Sequence, residues 1–181
     1  LLGADMDAVT KIVTEASNVG ICEIANDNAP GQIVISGEAK AVNKAIDMSS
    51  RFGVRKAMSL PVSAPFHCSM MQPAAEVMAA ALDVTDVNSP DVPLVTNVSA
   101  LVGNGDPSEI RNSLVDQITS LVRWRETVLW LSKQKVSSVV EIGAGKILSG
   151  LNKRIDKDLI SSSVSELEEI DNFLIKVESG D

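Results

Sequence analysis

The sequence predicts an α/β fold, and three observations carry that prediction. Residues 1–60 alternate between runs of strand and helix periodicity in the order (β)αββαβ, the pattern of a ferredoxin-like split βαβ unit. Beyond residue 60, further strand-like runs alternate with helical ones, which argues for a parallel sheet. With 181 residues, a 45% hydrophobic content and a mean hydropathy of +0.15, the chain is long and apolar enough to bury a real core. The expected division is a ferredoxin-like small subdomain over residues 1–60 and part of a larger α/β domain over residues 61–181.

Each element has its own reason. Leu1 and Leu2 run into Gly3 like the tail of a strand whose earlier residues are absent. Met6, Val9, Ile12 and Val13 recur at helical spacing. "GICEIAND" and "GQIVISG" are β-rich runs around a turn that holds Asn28, Pro30 and Gly31. "EAKAVNKAIDMSSRFG" is again helical, with Gly53 as its C-terminal cap, and "VRKAMSLPVS" reads as a strand. In residues 69–83 the face from Met70, Ala74, Val77 and Ala81, widened by Met71, Ala75, Met78 and Leu82, predicts a helix that starts near Pro73. "DVPLVTNVSA" reads as a strand and "GNGDP" as a turn. Asp106, Pro107 and Glu109 then spell a capping box ahead of a helix with Ile110, Leu114, Ile118 and Leu121 on one face. A helix over about residues 123–135 should turn Trp124, Thr127, Val128 and Leu131 inward. "SSVVEIG" does not alternate, so a short buried strand is expected, leading through "GAG" into the helix "KILSGLNKRI".

Composition excludes several classes. A net charge of −8 and a pI of about 4.7 argue against nucleic-acid binding, which needs basic surface to displace counterions. Three Phe, two Trp and no Tyr leave little material for base stacking. No run approaches the ~18 apolar residues of a membrane span, and the start lacks the features of a signal peptide. Cys22 and Cys68 are too few for a disulfide framework and lack metal-ligand spacing, so a reducing, cytoplasmic setting and no metal are expected.

Three stretches invite chemistry. "EIGAGK" lies between a strand and a helix, but it has neither the P-loop spacing nor the third glycine of the dinucleotide pattern; a tight turn at Gly143 and Gly145 is the expectation. Cys68 follows His67 directly, yet neighbours at a helix entry point apart, so Cys68 reads as a buried structural cysteine. His67 is the one histidine of the chain, in "SAPFHCSMM". At a helix N-terminus the macrodipole disfavours imidazolium by roughly 0.3–1 kcal/mol, which favours the neutral ring a general base requires. Such a base needs an orienting acceptor and a nucleophile, and no G-x-S-x-G elbow occurs in these residues.

Taken together, "NDNAPGQIVISG", "SLPVSAPFHCSMMQPAAEVMAAAL", "VTNVSA", "LVDQITSLVRW" and "VVEIGAGKILSGLNKRI" resemble the malonyl-CoA:acyl-carrier-protein transacylases of bacterial-type fatty-acid synthesis, in order and spacing over nearly the whole chain. The resemblance implies the last three-fifths of such an enzyme: a ferredoxin-like small subdomain plus the C-terminal part of an α/β-hydrolase-like large domain. The family's G-Q-G-S-Q segment, its G-H-S-L-G-E elbow with the nucleophilic serine, and its carboxylate-gripping arginine would lie upstream of Leu1. By motif, His67 matches the catalytic histidine and Gln117 the residue whose backbone carbonyl orients it. Asn28 and Gln32 match polar residues on the thioester and pantetheine side of the cleft. Phe66 matches a bulky aromatic that leaves no room for a methyl branch, favouring malonyl over methylmalonyl. Ala144 and Leu121 stand where the family has prolines, departures that touch turn rigidity more than chemistry.

The resemblance further implies ping-pong transfer of malonyl from malonyl-CoA to acyl carrier protein, without a cofactor and with a monomeric whole protein. This fragment alone is expected to be inactive. Carrier proteins are acidic, so docking needs a basic patch; Arg51, Arg55 and Lys56, or Lys153 and Arg154, are candidates. Two other readings stand beside this one. The first is a non-catalytic fragment that binds carrier protein or pantetheine; the second is the acyltransferase domain of a larger synthase, against which the terminal "KVESGD" counts weakly.

Overall fold

Asp5 begins the first helix by accepting a hydrogen bond from the Ala8 amide at 2.8 Å, one of the donors that a helix start leaves without a partner. In this computed structural model, which describes residues 1–179, that helix is α1 (Met6–Ala16), and the last two residues of "KVESGD" lie outside the described residues. Val9 and Ile12 on its inner face are fully buried. After it come β1 (Cys22–Ala29), β2 (Gln32–Gly37) and α2 (Ala39–Met48). The strands pair antiparallel through a turn in which Gly31 takes a φ of 70°. Gly37 is required at the exit from β2, because a Cβ there would lie 2.1 Å from the Ile21 carbonyl oxygen.

Leu2 supplies a short antiparallel bridge on both sides, to Gln32 and to Lys56, so the pairing order runs Lys56, Leu2, β2, β1. Val9, Ile12 and Ala16 of α1 and Ala41, Ala45 and Met48 of α2 bury themselves with Ile33 and Val54 in one core. Each large apolar side chain buried there contributes about 1.5–3 kcal/mol. A left-handed Gly53 ends the turn after α2 by donating to the Ser49 and Ser50 carbonyls, as its sequence position implied.

The middle of the chain departs from expectation. "VRKAMSLPVS" pairs only at Arg55 and Lys56, because its partner is two residues long before Gly3 turns away to bond the Gly31 carbonyl. "DVPLVTNVSA" forms no strand; it makes one bridge, Val95 to Val102, and folds into a turn in which Thr96 and Ser99 bond each other. The helix read from Pro73 is α3 (Gln72–Asp83), preceded by a short 3-10 turn over Ser69–Met71. Its buried residue is Ala75, whereas Val77, expected inward, is 72% exposed. Pro107 opens α4 (Pro107–Asp116), with the Asp106 carboxylate on the Ser108 amide. The reciprocal half of the capping box is absent, since Glu109 accepts from the Asn104 amide instead. The α4 face expected to pack inward is not buried, and Leu114 is exposed. Then comes α5 (Trp124–Lys133), with Thr127 and Val128 buried as its spacing predicts.

By compactness the chain divides into two units, Leu1–Thr127 and Val128–Asp181. Within the second unit β3 (Ser138–Ile142) and β4 (Ile160–Val164) pair in parallel, joined through α6 (Ile147–Ile155), and α7 (Leu167–Ser179) follows. β3 is less covered than a buried strand should be: Ile142 is exposed, as is Ile160 on β4. Among the described residues these two strands form a sheet of their own.

Candidate active site

Four segments of the first unit meet around His67. Helix α4 ends at Asp116, and Gln117 caps it. A helix leaves its last carbonyls without partners inside the helix, and the Gln117 carbonyl finds one in His67, whose Nδ1 lies 2.8 Å away. A carbonyl oxygen only accepts, so the proton of the neutral ring is on Nδ1 and the lone pair is on Nε2. The Gln117 side chain accepts from the Asn97 amide at 3.3 Å, within the "VTNVSA" turn. The same "LVRW" stretch returns to β1: Val122 donates to Ala25 and accepts from Asp27, both at 2.9 Å. Register shifts between Ile24 and Asn26 and between Asp27 and Ala29 accompany this second pairing of β1.

A buried ion pair fastens that return. Asp27 is 1% exposed and takes Arg125 Nε on both oxygens at 2.9 Å and Nη2 at 2.6 Å. The Asp27 carboxylate holds the guanidinium above its ordinary pKa, burial opposing it. The pair therefore ties β1 to the residues that follow Gln117.

His67 is not at the mouth of α3. That helix starts at Gln72, and His67 lies ahead of even the 3-10 turn, with a left-handed φ of 54°. The macrodipole argument therefore has no geometric footing; a main-chain carbonyl orients the ring instead. Such a backbone state costs of order 1–3 kcal/mol and persists only where neighbours enforce it.

A cleft of about 690 Å³ opens beside the imidazole. Ile33, Ile35, Val42 and Ile46 give it apolar walls, and Asn26, Gln32, Asn43, Phe66 and His67 are among its lining residues. The structure thus brings His67, Phe66 and Gln32 to one cavity and Gln117 to the ring. Asn28 lies on β1 but does not line the cleft; Asn26, two residues earlier in the same motif, does. Sequence reasoning also missed Asn97 and the Asp27–Arg125 pair. Asn26 and Asn97 lie within quoted motifs, whereas nothing local marks a partnership across 98 residues.

The other two candidate stretches settle into structural roles. Cys68 and Cys22 are fully and almost fully buried, and burial pushes the Cys22 thiol up to about 11, with Cys68 adding to it. Burial likewise raises Cys68, so neither is a poised thiolate. At the "GAG" turn, Gly143 and Gly145 take φ values of 139° and 91°. The amides at the start of α6 that could hold a phosphate are taken: Glu141 accepts from Leu148 at 3.0 Å and from Ser149 at 2.8 Å. Among the described residues no group of three or more His, Cys, Asp and Glu could hold a metal. Among the described residues no helix is long and apolar enough to cross a membrane.

Held through Nδ1 by a main-chain carbonyl, the neutral imidazole keeps Nε2 as its acceptor nitrogen, on a residue that lines the cleft. Comparison with known proteins shows which chains share this framework. The malonyl CoA-acyl carrier protein transacylase of Bacillus subtilis is 42% identical over 174 residues, 94% of this chain and 54% of that protein. The one from Escherichia coli K12 is 38% identical, across 92% of this chain and 53% of its own length. Among solved structures, the acyl-carrier-protein S-malonyltransferase of Bartonella henselae superposes with a TM-score of 0.91 at 48% identity, over 97% of this chain and 55% of that one. A malonyl-transacylase in complex with a type II PKS acyl-carrier protein superposes at 0.90 with 35% identity, covering 100% of this chain and 57% of that one. No protein-family model matches. The chain is a homologue of the malonyl-CoA:acyl-carrier-protein transacylases, and it spans about half the length of the relatives it matches.

Proposed function

We propose that the protein to which these residues belong transfers malonyl from malonyl-CoA to the pantetheine thiol of acyl carrier protein, with His67 as its general base. The observation that carries this reading is the 2.8 Å bond from His67 Nδ1 to the Gln117 carbonyl. It fixes the tautomer whose Nε2 accepts a proton. A serine from the segment that completes the site attacks the thioester carbonyl while Nε2 takes the hydroxyl proton. The tetrahedral intermediate collapses, the C–S bond breaks, and CoA leaves with that proton. The carrier's thiol then gives its proton to Nε2 and attacks the acyl-serine, and the proton returns to the serine oxygen as the new thioester forms.

Gln32 and Asn26, which line the cleft, belong to the thioester side in this reading, and Phe66 restricts the acyl branch beside the base. The pairing order Lys56, Leu2, β2, β1 supports a ferredoxin-like small subdomain over residues 1–60, with residues 61–181 as part of an α/β-hydrolase-like domain. A cytoplasmic, monomeric enzyme without a cofactor completes the proposal. For the 181 residues alone, binding of carrier or pantetheine without catalysis is favoured by one observation, the absence of a serine elbow.

Two measurements test this. In a polypeptide that includes the serine-bearing segment, His67→Gln should slow malonyl transfer by about 10²–10⁴-fold; an unchanged rate overturns the base assignment. Incubated alone with malonyl-CoA, the 181-residue chain should keep its intact mass, and a stable malonyl adduct would place the nucleophile within it.

A further inference from the structure

His67 sits in a left-handed backbone state, and something must hold it there. The Gln117 carbonyl engages the ring, not the backbone. Two residues on, Ser69 is gripped from across the fold: its amide donates to one Glu23 carboxylate oxygen at 2.7 Å and its hydroxyl to the other at 2.6 Å. Glu23 is the second residue of β1, paired with Ser36, so its own backbone is fixed by the sheet. Both bonds go to a charged acceptor, the class roughly twice as strong as neutral ones. They span 46 residues of sequence, and no nearer residue takes the Ser69 amide.

We propose that Glu23 is a positioning residue for His67: by holding Ser69 at both its amide and its hydroxyl, the Glu23 carboxylate enforces the turn that delivers the imidazole to the Gln117 carbonyl. Glu23 touches no reacting atom in this scheme. The frame runs from β1 through Glu23 and Ser69 to the His67 backbone, while α4 presents the carbonyl that the ring meets. Burial alone would raise the Glu23 carboxyl, but the Ser69 hydroxyl and amide outweigh it and hold it below its ordinary value. The clamp is therefore charged and closed at neutral pH.

The inference rests on His67 as the base, but its test reads the ring and not turnover, so the two can fail separately. Because the chain has one histidine, ¹⁵N-labelled imidazole gives an unambiguous pair of ring-nitrogen signals. In the parent chain at a pH where the ring is neutral, the pair should be widely separated, with Nδ1 protonated. In Glu23→Ala the signals should converge toward the averaged positions of a ring exchanging tautomers. Glu23→Gln keeps one acceptor and should restore most of the separation. Ser69→Ala removes only the hydroxyl bond and should shift the pair partway, which keeps the test decisive if Glu23→Ala does not fold. Variants that stay folded by circular dichroism with ring signals unchanged overturn the proposal, even if they melt earlier. A tautomer retained in Glu23→Ala overturns the proposal equally, even where the same substitution slows malonyl transfer in a polypeptide that carries the serine-bearing segment.

Discussion

Arg125→Ala probes the fastening of the whole site. The substitution strands the Asp27 carboxylate, 1% exposed, after removing three guanidinium contacts between 2.6 and 2.9 Å. Breaking a buried pair from one side typically costs 3–5 kcal/mol, because a charge is left without compensation. Arg125 itself is 31% exposed, so water already screens part of the attraction and can enter the space it leaves. A loss of about 2–4 kcal/mol is the working figure. At roughly 2–4 °C per kcal/mol for a chain of this size, the first unit should melt about 5–15 °C lower. Urea unfolding of the parent, Arg125→Ala, Asp27→Asn and the double variant closes a thermodynamic cycle. The double variant should cost clearly less than the sum of the singles, because a neutral amide needs no guanidinium. If Arg125→Ala costs under about 1 kcal/mol, or the singles add within about 0.5 kcal/mol, the pair is not the fastening described.

Three further outcomes follow from the same geometry. Phe66→Ala, in the polypeptide that carries the serine, should open space beside the base and raise the methylmalonyl-to-malonyl ratio of kcat/KM by about 10–200-fold, the worth of one methylene-sized contact; an unchanged ratio removes Phe66 from specificity. Arg51, Arg55 and Lys56 are all exposed, so charge reversal at Arg55 and Lys56 should raise the carrier-protein KM and spare that for malonyl-CoA; unmoved carrier kinetics would locate docking elsewhere. Glu141→Ala should cost the second unit about 1 kcal/mol, as loss of a helix cap does. Burial would raise the Glu141 carboxyl, but the Ser149 and Leu148 amides outweigh it and depress it. Its stabilisation is therefore present above the ordinary carboxylate range and fades as pH falls through the depressed value, so the parent and the variant should converge in stability in acid.

Local rules reached some of this fold and stopped at others. Helices α1 and α2 were legible because their apolar residues keep a helical period and bury together in one core. Asp106 and Gly53 were legible because capping is decided within a few residues. The strands read at "VRKAMSLPVS" and "DVPLVTNVSA" failed for a different reason: strand propensity is satisfied only by a partner, and these runs find one at single positions. Conversely, "ISSSV" carries three serines and no alternation, yet it is held as β4 by the β3 ladder. At the site, the motifs singled out His67 and Gln117, but Glu23 on Ser69 and Arg125 on Asp27 are meetings across 46 and 98 residues that no local pattern encodes.

The β3–β4 ribbon has a practical consequence. Two parallel strands alone are marginal in water, and here their outer edges find no third strand among the described residues, while Ile142 and Ile160 face solvent. Such a ladder accepts whatever extended backbone arrives first. Handled as an isolated piece, this unit should be stickier than its acidic charge implies, and a co-expressed segment that zips along either edge would be rewarded with solubility before any catalysis is measured.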